Sequence, residues 1–251
     1  HKSIKMKKLL FTIVFAITIS TQAQIHHYFY VDVEDDQKFE EVFKDYWLKV
    51  AQEAADNGGI QGWSVWKKQR KTNNYKYIVL FNFKDMEQYT NDWGFDALKA
   101  TGVPYKHIDF EWNVFREDTY RVVTAVPGTY NFVVVNYAKP DDMNKQLKFE
   151  VEFIAPVMKK MVANKFRGQT GWNVQQKIYP SGSEEKFTMF VVDGYATMAD
   201  AMKSFDTEYG KDYYAGWIPY FKKVHGEKTM ENSLPNGFGY RPIYKRILKT
   251  N

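Results

Sequence analysis

The chain has 251 residues, 44% of them hydrophobic and 18% aromatic, with a formal charge of +5. That composition excludes a disordered chain and suffices for one large domain or two small ones. Cysteine is absent, which excludes disulfides, thiolate metal sites, a cysteine nucleophile and a lipid carried on an N-terminal cysteine.

Residues 1–23 read as a secretory leader. Met6-Lys7-Lys8 is the basic start, Leu9 to Ile19 the apolar run, and Ser20-Thr21-Gln22-Ala23 the small-residue end, with cleavage expected after Ala23. The apolar run is short for a membrane span. The leader holds four of the 35 basic residues (Lys2, Lys5, Lys7, Lys8) and none of the 30 acidic ones, so the remainder has 31 basic against 30 acidic groups, a net +1. The basic pI of about 9.0 belongs largely to the leader, and no electrostatic case for a nucleic-acid partner remains. The expectation is an exported protein, periplasmic or extracellular, without stable membrane insertion once the leader is cleaved.

After the leader, His26 to Val33 alternates as a strand, with an apolar Phe29, Val31, Val33 face and a mixed His26, Tyr28, Tyr30, Asp32 face. Asp35-Asp36 caps a helix from about Gln37 to Asp56, whose Phe39, Val42, Phe43, Tyr46, Trp47 and Val50 recur at spacings of three and four. Asn57-Gly58-Gly59 stops it. A strand over Trp63 to Lys68, a polar turn at Lys71 to Asn74 and a strand over Tyr75 to Phe83 follow. Asp85 opens a short helix, Pro104 opens a second running through His107, Phe110 and Trp112 to about Phe115, and Tyr120 to Val126 is a strand closed by Pro127-Gly128.

The order then begins again. Phe132 to Tyr137 matches the first strand at an offset of 104, Gly171-Trp172 matches Gly62-Trp63 at 109, and Met189 to Tyr195 matches Tyr77 to Phe83 at 112. Asp92-Trp93-Gly94 matches Glu208-Tyr209-Gly210 at 116, Pro104-Tyr105 matches Pro219-Tyr220 at 115, and Tyr120-Arg121 matches Tyr240-Arg241 at 120. Offsets that drift upward are what loop insertions in a duplicated unit produce. The expected organisation is a leader (1–23), one unit over 24–128 and a second over 129–251. Each unit reads β-α-β-β-α-β, the ferredoxin-like arrangement of an antiparallel sheet with helices on one face. The fold class is therefore α+β: two tandem ferredoxin-like units, helices outside, whose sheets cover each other's bare faces in a pseudo-dimeric barrel within one monomer.

On its element order and Gly-Trp strand starts, the chain over about 25–250 resembles the dimeric α+β barrel superfamily in its fused form. The resemblance implies a cavity between the sheets, which cofactor-free monooxygenases, haem-degrading enzymes and chlorite-dismutase-like haem proteins use. It also implies, for a haem-binding member, an axial histidine on a helix of the second unit, where His225 is the one candidate.

Candidate site residues follow from alternation. If Phe29, Val31 and Val33 pack on helices, then His26, Tyr28, Tyr30 and Asp32 point at the partner sheet, and the offset of 104 gives Tyr130, Phe132, Val134 and Asn136 as their counterparts. Trp63 and Trp172 recur and read as structural, whereas Trp66, replaced by Gln175, is free to face a ligand. The candidate ligand-binding set is thus His26, Tyr28, Tyr30, Asp32, Trp66 and Asn136. Adjacent His26 and His27 cannot share a strand face, and no histidines stand at helical metal-ligand spacing, so no metal site is expected. Arg121 and Arg241 either clamp an anion or pair with neighbouring carboxylates. Phosphate-loop, dinucleotide, serine-hydrolase and zinc-protease motifs are absent, and no catalytic residue is assigned. Two readings follow: a binding protein for a small, largely apolar ligand held between the sheets without a cofactor, or a cofactor-independent monooxygenase or haem-handling enzyme using the same cavity.

Overall fold

The computed structural model describes residues 24–70, 74–206 and 215–251. The expected leader, residues 71–73 of the expected polar turn and the Glu208-Tyr209-Gly210 match lie outside the described residues. The first unit runs β1 (Ile25–Asp32), α1 (Asp36–Val42), α2 (Leu48–Asp56), β2 (Gly62–Lys68), β3 (Tyr77–Phe83), α3 (Met86–Thr90), α4 (Ala97–Thr101) and β4 (Asn113–Val126). The second runs β5 (Phe132–Ala138), α5 (Met143–Lys148), α6 (Ala155–Ala163), β6 (Gln169–Tyr179), β7 (Met189–Tyr195), α7 (Met198–Lys203), α8 (Ile218–His225) and β8 (Ile243–Lys249).

Local chemistry accounts for these elements. Asp35 caps α1 by accepting from the Lys38 amide at 3.0 Å, and Asp142 caps α5 from the Lys145 amide at 2.9 Å. The long helix of each unit widens into a π-type stretch at matching places, Phe43–Trp47 and Phe149–Ile154. Gly58, at φ 78°, ends the first of these helices as its Asn-Gly-Gly sequence predicts.

The strands close into one barrel in the order β1-β3-β2-β8-β5-β7-β6-β4. Within it each unit keeps the same internal order, β4-β1-β3-β2 and β8-β5-β7-β6. The sheets do not merely face each other: β2 pairs with β8 and β4 with β6, so every edge strand finds its hydrogen-bond partner in the other unit. Helices pack outside. Phe39, Phe43, Ala51 and Ala54 cover Val31, Trp63 and Val79 in the first unit, and Val157, Met158 and Met161 cover Trp172, Val174 and Val191 in the second. A separate, aromatic cluster fills the barrel.

The Gly-Trp pair marks equivalent places, since Trp63 stands opposite Phe81 and Trp172 opposite Asp193, which is 112 positions further on. Both indoles are buried against helices. Other matches need correction. Ile25 stands opposite Phe83 and Phe132 opposite Tyr195, so β1 and β5 match at 107, not 104. An odd change of register moves every side chain to the other face. The counterpart of Tyr30 becomes Tyr137. By the same logic Tyr120, opposite His26, corresponds to Tyr244, opposite Val133. The helix expected from Pro104 to Phe115 is a single tight turn, Tyr105–His107, and the strand begins at Asn113 rather than Tyr120. Pairing explains the length: β4 bonds to β1 along residues 113–121 and then to β6 along residues 119–126.

Tyr130, in the link between the units, lies flat over a slot in the barrel wall. Gly171 and Gly194 stand opposite each other there, and a Cβ on either would come within 2.6 or 2.5 Å of the Tyr130 ring. Gly194→Ala is therefore expected to lower the unfolding free energy by about 1–3 kcal/mol. Gly182→Ala, with nothing within 4 Å of the added carbon, should change it by less than about 0.5 kcal/mol. Urea denaturation of the two variants gives the comparison.

Candidate functional site

Alternation along the closed strands sends His26, Tyr28 and Tyr30 of β1 and Arg116, Asp118 and Tyr120 of β4 into the barrel, with Gln175 and Lys177 of β6. Most of this interior is solid. At the end nearer His26 a cavity of about 60 Å3 remains. Its aliphatic wall is Ile78, Leu80, Val133, Val135 and Val192, and its polar wall is His26, Tyr28, Asn173 and Gln175, with Trp66 and Tyr130 across from them.

The polar wall is a connected line. His26 Nδ1 lies 3.3 Å from the Tyr28 hydroxyl, which donates to Gln175 Oε1 at 2.9 Å. Gln175 in turn donates through Nε2 to Asn173 Oδ1 at 2.9 Å. His26 keeps part of its surface accessible, yet the protein around its ring lowers its pKa to about 4, against a weaker opposing effect of Gln175. It is neutral at any physiological pH. Burial likewise pushes the Tyr28 phenol up, so it stays protonated. The Trp66 indole N–H is taken by Ser64 Oγ at 2.8 Å, which leaves Trp66 as an apolar wall.

Beyond the cavity lies a cage of phenols. Tyr30 and Tyr137 touch through their hydroxyls at 3.2 Å, and Tyr75 and Tyr244 at 2.5 Å. Burial raises all four, Tyr75 to about 12. Arg116 stacks on the Tyr30 ring at 4.3 Å and holds its Nε 2.9 Å from Asp118 Oδ2. Lys177 Nζ lies 2.8 Å from Asp118 Oδ1 and also meets Glu185. Neither Arg116 Nε nor Asp118 Oδ1 completes a well-angled hydrogen bond, so these contacts act mainly through charge. Two cations and two carboxylates balance, as burial of the fully enclosed Asp118 requires.

Of the expected residues, the structure brings His26, Tyr28 and Trp66 to the cavity, and places Tyr30 beside it in the phenol cage. Asp32 is elsewhere: its side chain is 45% exposed at the end of β1, 3.9 Å from Lys76. Asn136 is on the outer face, where it donates to Asp193 Oδ2 at 2.8 Å and accepts from Arg241 Nε at 2.7 Å. The change of match from 104 to 107 is the reason. The interior carboxylate is Asp118, hidden in sequence by the helix expected just before it. The alternation Arg116, Asp118, Tyr120, read backwards from the expected strand, is the signal that identifies it.

Among the described residues no group of three or more His, Asp or Glu side chains is arranged to hold a metal. His225 does not fit an axial haem ligand. Its Nε2 lies 2.8 Å from the Phe153 carbonyl oxygen and its ring stacks on Phe153 at 4.3 Å between centroids, outside the barrel. The shallow groove nearby, walled by Phe153, Trp217 and Phe221, does not include His225.

His27 points the opposite way from His26, into the helix side, with Nδ1 2.9 Å from Thr119 Oγ1. Burial lowers its pKa to about 4. An unfolded histidine takes a proton near pH 6.5. Stability is therefore lost as pH falls from about 6.5 to about 4, by roughly 3 kcal/mol for this residue. Glu150, raised to about 7 by burial, acts oppositely, losing stability as pH rises from its unfolded value near 4.5 toward 7. Subtracting the two pH–stability curves of wild type and His27→Gln isolates the histidine. The variant should lack that acid loss, measured by urea unfolding from pH 4 to 8.

No protein-family model matches the chain, and no curated protein does. Among solved structures it is similar to a candidate monooxygenase from Lactobacillus acidophilus, at 10% identity over 91% of this chain and 96% of that one, with a TM-score of 0.51. It is also similar to a candidate monooxygenase from Fusobacterium nucleatum (14% identity, 91% and 94% covered, TM-score 0.47). A third similar structure is a mutant chlorite dismutase from Candidatus Nitrospira defluvii (7% identity, 90% and 91% covered, TM-score 0.42). Identities this low speak to fold and not to activity. The fold is that of the dimeric α+β barrel proteins, written here as two units in a single chain.

Proposed function

We propose that this is a binding protein for a small, uncharged, largely apolar molecule held at the His26 end of the barrel. The observation behind this is the cavity with an aliphatic wall facing a neutral His26–Tyr28–Gln175–Asn173 line. Such a site offers hydrogen bonds to one hydroxyl or carbonyl group and desolvates the rest of the ligand. About 60 Å3 is several-fold below the ordinary range for drug-sized ligands, so the fitting molecule has few heavy atoms. The leader supports placing this role outside the cytoplasm.

The monooxygenase alternative has fold likeness behind it, but among the described residues lining the cavity His26 is a poor base. An imidazole with its pKa near 4 taking a proton from a phenol of pKa near 10 works against about 8 kcal/mol. The haem alternative meets the poor fit at His225.

The test uses small neutral probes. A crystal under xenon pressure is expected to show xenon in the cavity, and 2-propanol to shift the Gln175 side-chain amide signals in NMR. Tyr28→Phe should weaken the 2-propanol response several-fold with little change in melting temperature. A cavity without xenon, together with unmoved Gln175 signals, would leave the interior a filled structural core and sink this reading.

A further inference from the structure

A larger cavity, about 270 Å3, lies outside the barrel at the seam where β2 meets β8. Its apolar wall is Met198, Met202, Phe205 and Ile243 from the second unit. Lys68 and Arg70, at and just beyond the end of β2, and Arg241, leading into β8, also line it, and among the described residues no acidic side chain does. Three cations against an apolar wall suit a ligand with an anionic head and an apolar body. Methionine side chains adapt to such bodies without demanding one shape.

Arg241 is held in place. Its Nε donates to Asn136 Oδ1 at 2.7 Å, and its guanidinium carbon lies 4.7 Å from the Phe205 ring centroid. Asn136 is itself fixed, donating to Asp193 Oδ2 at 2.8 Å and to the Val191 carbonyl at 3.1 Å. Asn136 thus separates Asp193 from Arg241, and among the described residues no carboxylate is within ion-pair distance of Arg241 or Arg70. Lys68 sits over Tyr75 at 4.3 Å and Tyr240 at 5.4 Å.

The opposite seam, between β4 and β6, shows what the same place looks like when it is not a site. Arg241, next to Tyr240 opposite Tyr137, has as its counterpart Glu117, which stands opposite Phe29. Lys68 corresponds to Lys177, which is neutralised by Asp118 and Glu185. On the outer face of the first unit, Trp93 packs on Phe81 and Phe83. At the β4–β6 seam the lysine is held by carboxylates; at the β2–β8 seam a cavity lies beside Arg241, whose guanidinium is held by Asn136 rather than directly by a carboxylate.

We propose that the β2–β8 seam binds a small amphipathic carboxylate, its apolar body against Met198, Met202 and Phe205 and its head on Arg241, with Lys68 and Arg70 supplying positive field. Asn136 is the positioning residue for Arg241. A cavity of this size suits roughly ten non-hydrogen atoms. The residues lining this site are distinct from those lining the barrel cavity.

Isothermal titration with octanoate, and with 1-octanol as the uncharged control, tests it. Octanoate should bind, and 1-octanol about tenfold more weakly. Arg241→Met should weaken octanoate about tenfold and leave 1-octanol unchanged, and Arg241→Lys should restore part of the loss because the planar fork is missing. Should Arg241→Met not fold, Lys68→Met serves instead, with an expected loss of about threefold and reduced salt sensitivity. Tyr28→Phe should not affect octanoate. Equal binding of octanoate and 1-octanol, octanoate affinity unmoved by the Arg241 and Lys68 substitutions, or loss of octanoate binding in Tyr28→Phe would each overturn the seam site. None of these outcomes bears on whether xenon and 2-propanol enter the barrel.

Discussion

Four strand edges need hydrogen-bond partners, and the molecule depends on how that demand is met. A four-stranded ferredoxin-like sheet leaves two edges and one face bare. Exposed edges invite association with other chains, and a bare apolar face cannot stay in water. Pairing β2 with β8 and β4 with β6 settles both problems together, because closing the edges also encloses the bare faces. Everything inside the barrel then follows from which side chains alternation delivers there. The phenols of Tyr30, Tyr75, Tyr137 and Tyr244 bond to one another in pairs, so these buried hydroxyls are satisfied within the barrel.

The two seams created by closure have diverged. A dimer of identical chains would repeat each seam, and any charge placed at one would appear at the other. Here Asp118 sits between Arg116 and Lys177 at one junction, while Lys68 and Arg241 flank an open cavity at the other. The sequence difference behind this is small: Glu117 and Asp118 on one side, Arg241 and Pro242 on the other. Fusion permits that difference, since each half mutates without changing its partner.

Much of the fold was legible in the chain, and the reasons are physical. Trp63 and Trp172 each need a helix to cover a large indole, so Gly-Trp recurs where the strand enters that contact. The inward face of β1 was legible because Phe29, Val31 and Val33 contrast with His26, Tyr28 and Tyr30. On β5 the run Phe132-Val133-Val134-Val135 is apolar on both faces, so nothing local fixes which face is which, and Asn136 was assigned to the wrong one. Asp32 failed for another reason: it continues the right alternation, but the strand ends there and its side chain reaches water. Asp118 was missed because aromatic spacing around His107, Phe110 and Trp112 imitates a helix, and pairing of β4 with β1 overrides it. The seam cavity joins residues near 68 to residues near 241, a neighbourhood that only strand pairing creates.

The short link from Pro127 to Asn131 does more than connect. Gly128 passes so close to the Thr170 carbonyl that a side chain there has no room, and Tyr130 seals the slot above Gly171 and Gly194. A tether of this kind holds the second unit at an effective concentration on the order of millimolar relative to the first. A barrel assembled from separate halves would come apart on dilution, by mass action. Closure of the fused barrel is instead a property of each molecule, and does not depend on how many others are nearby.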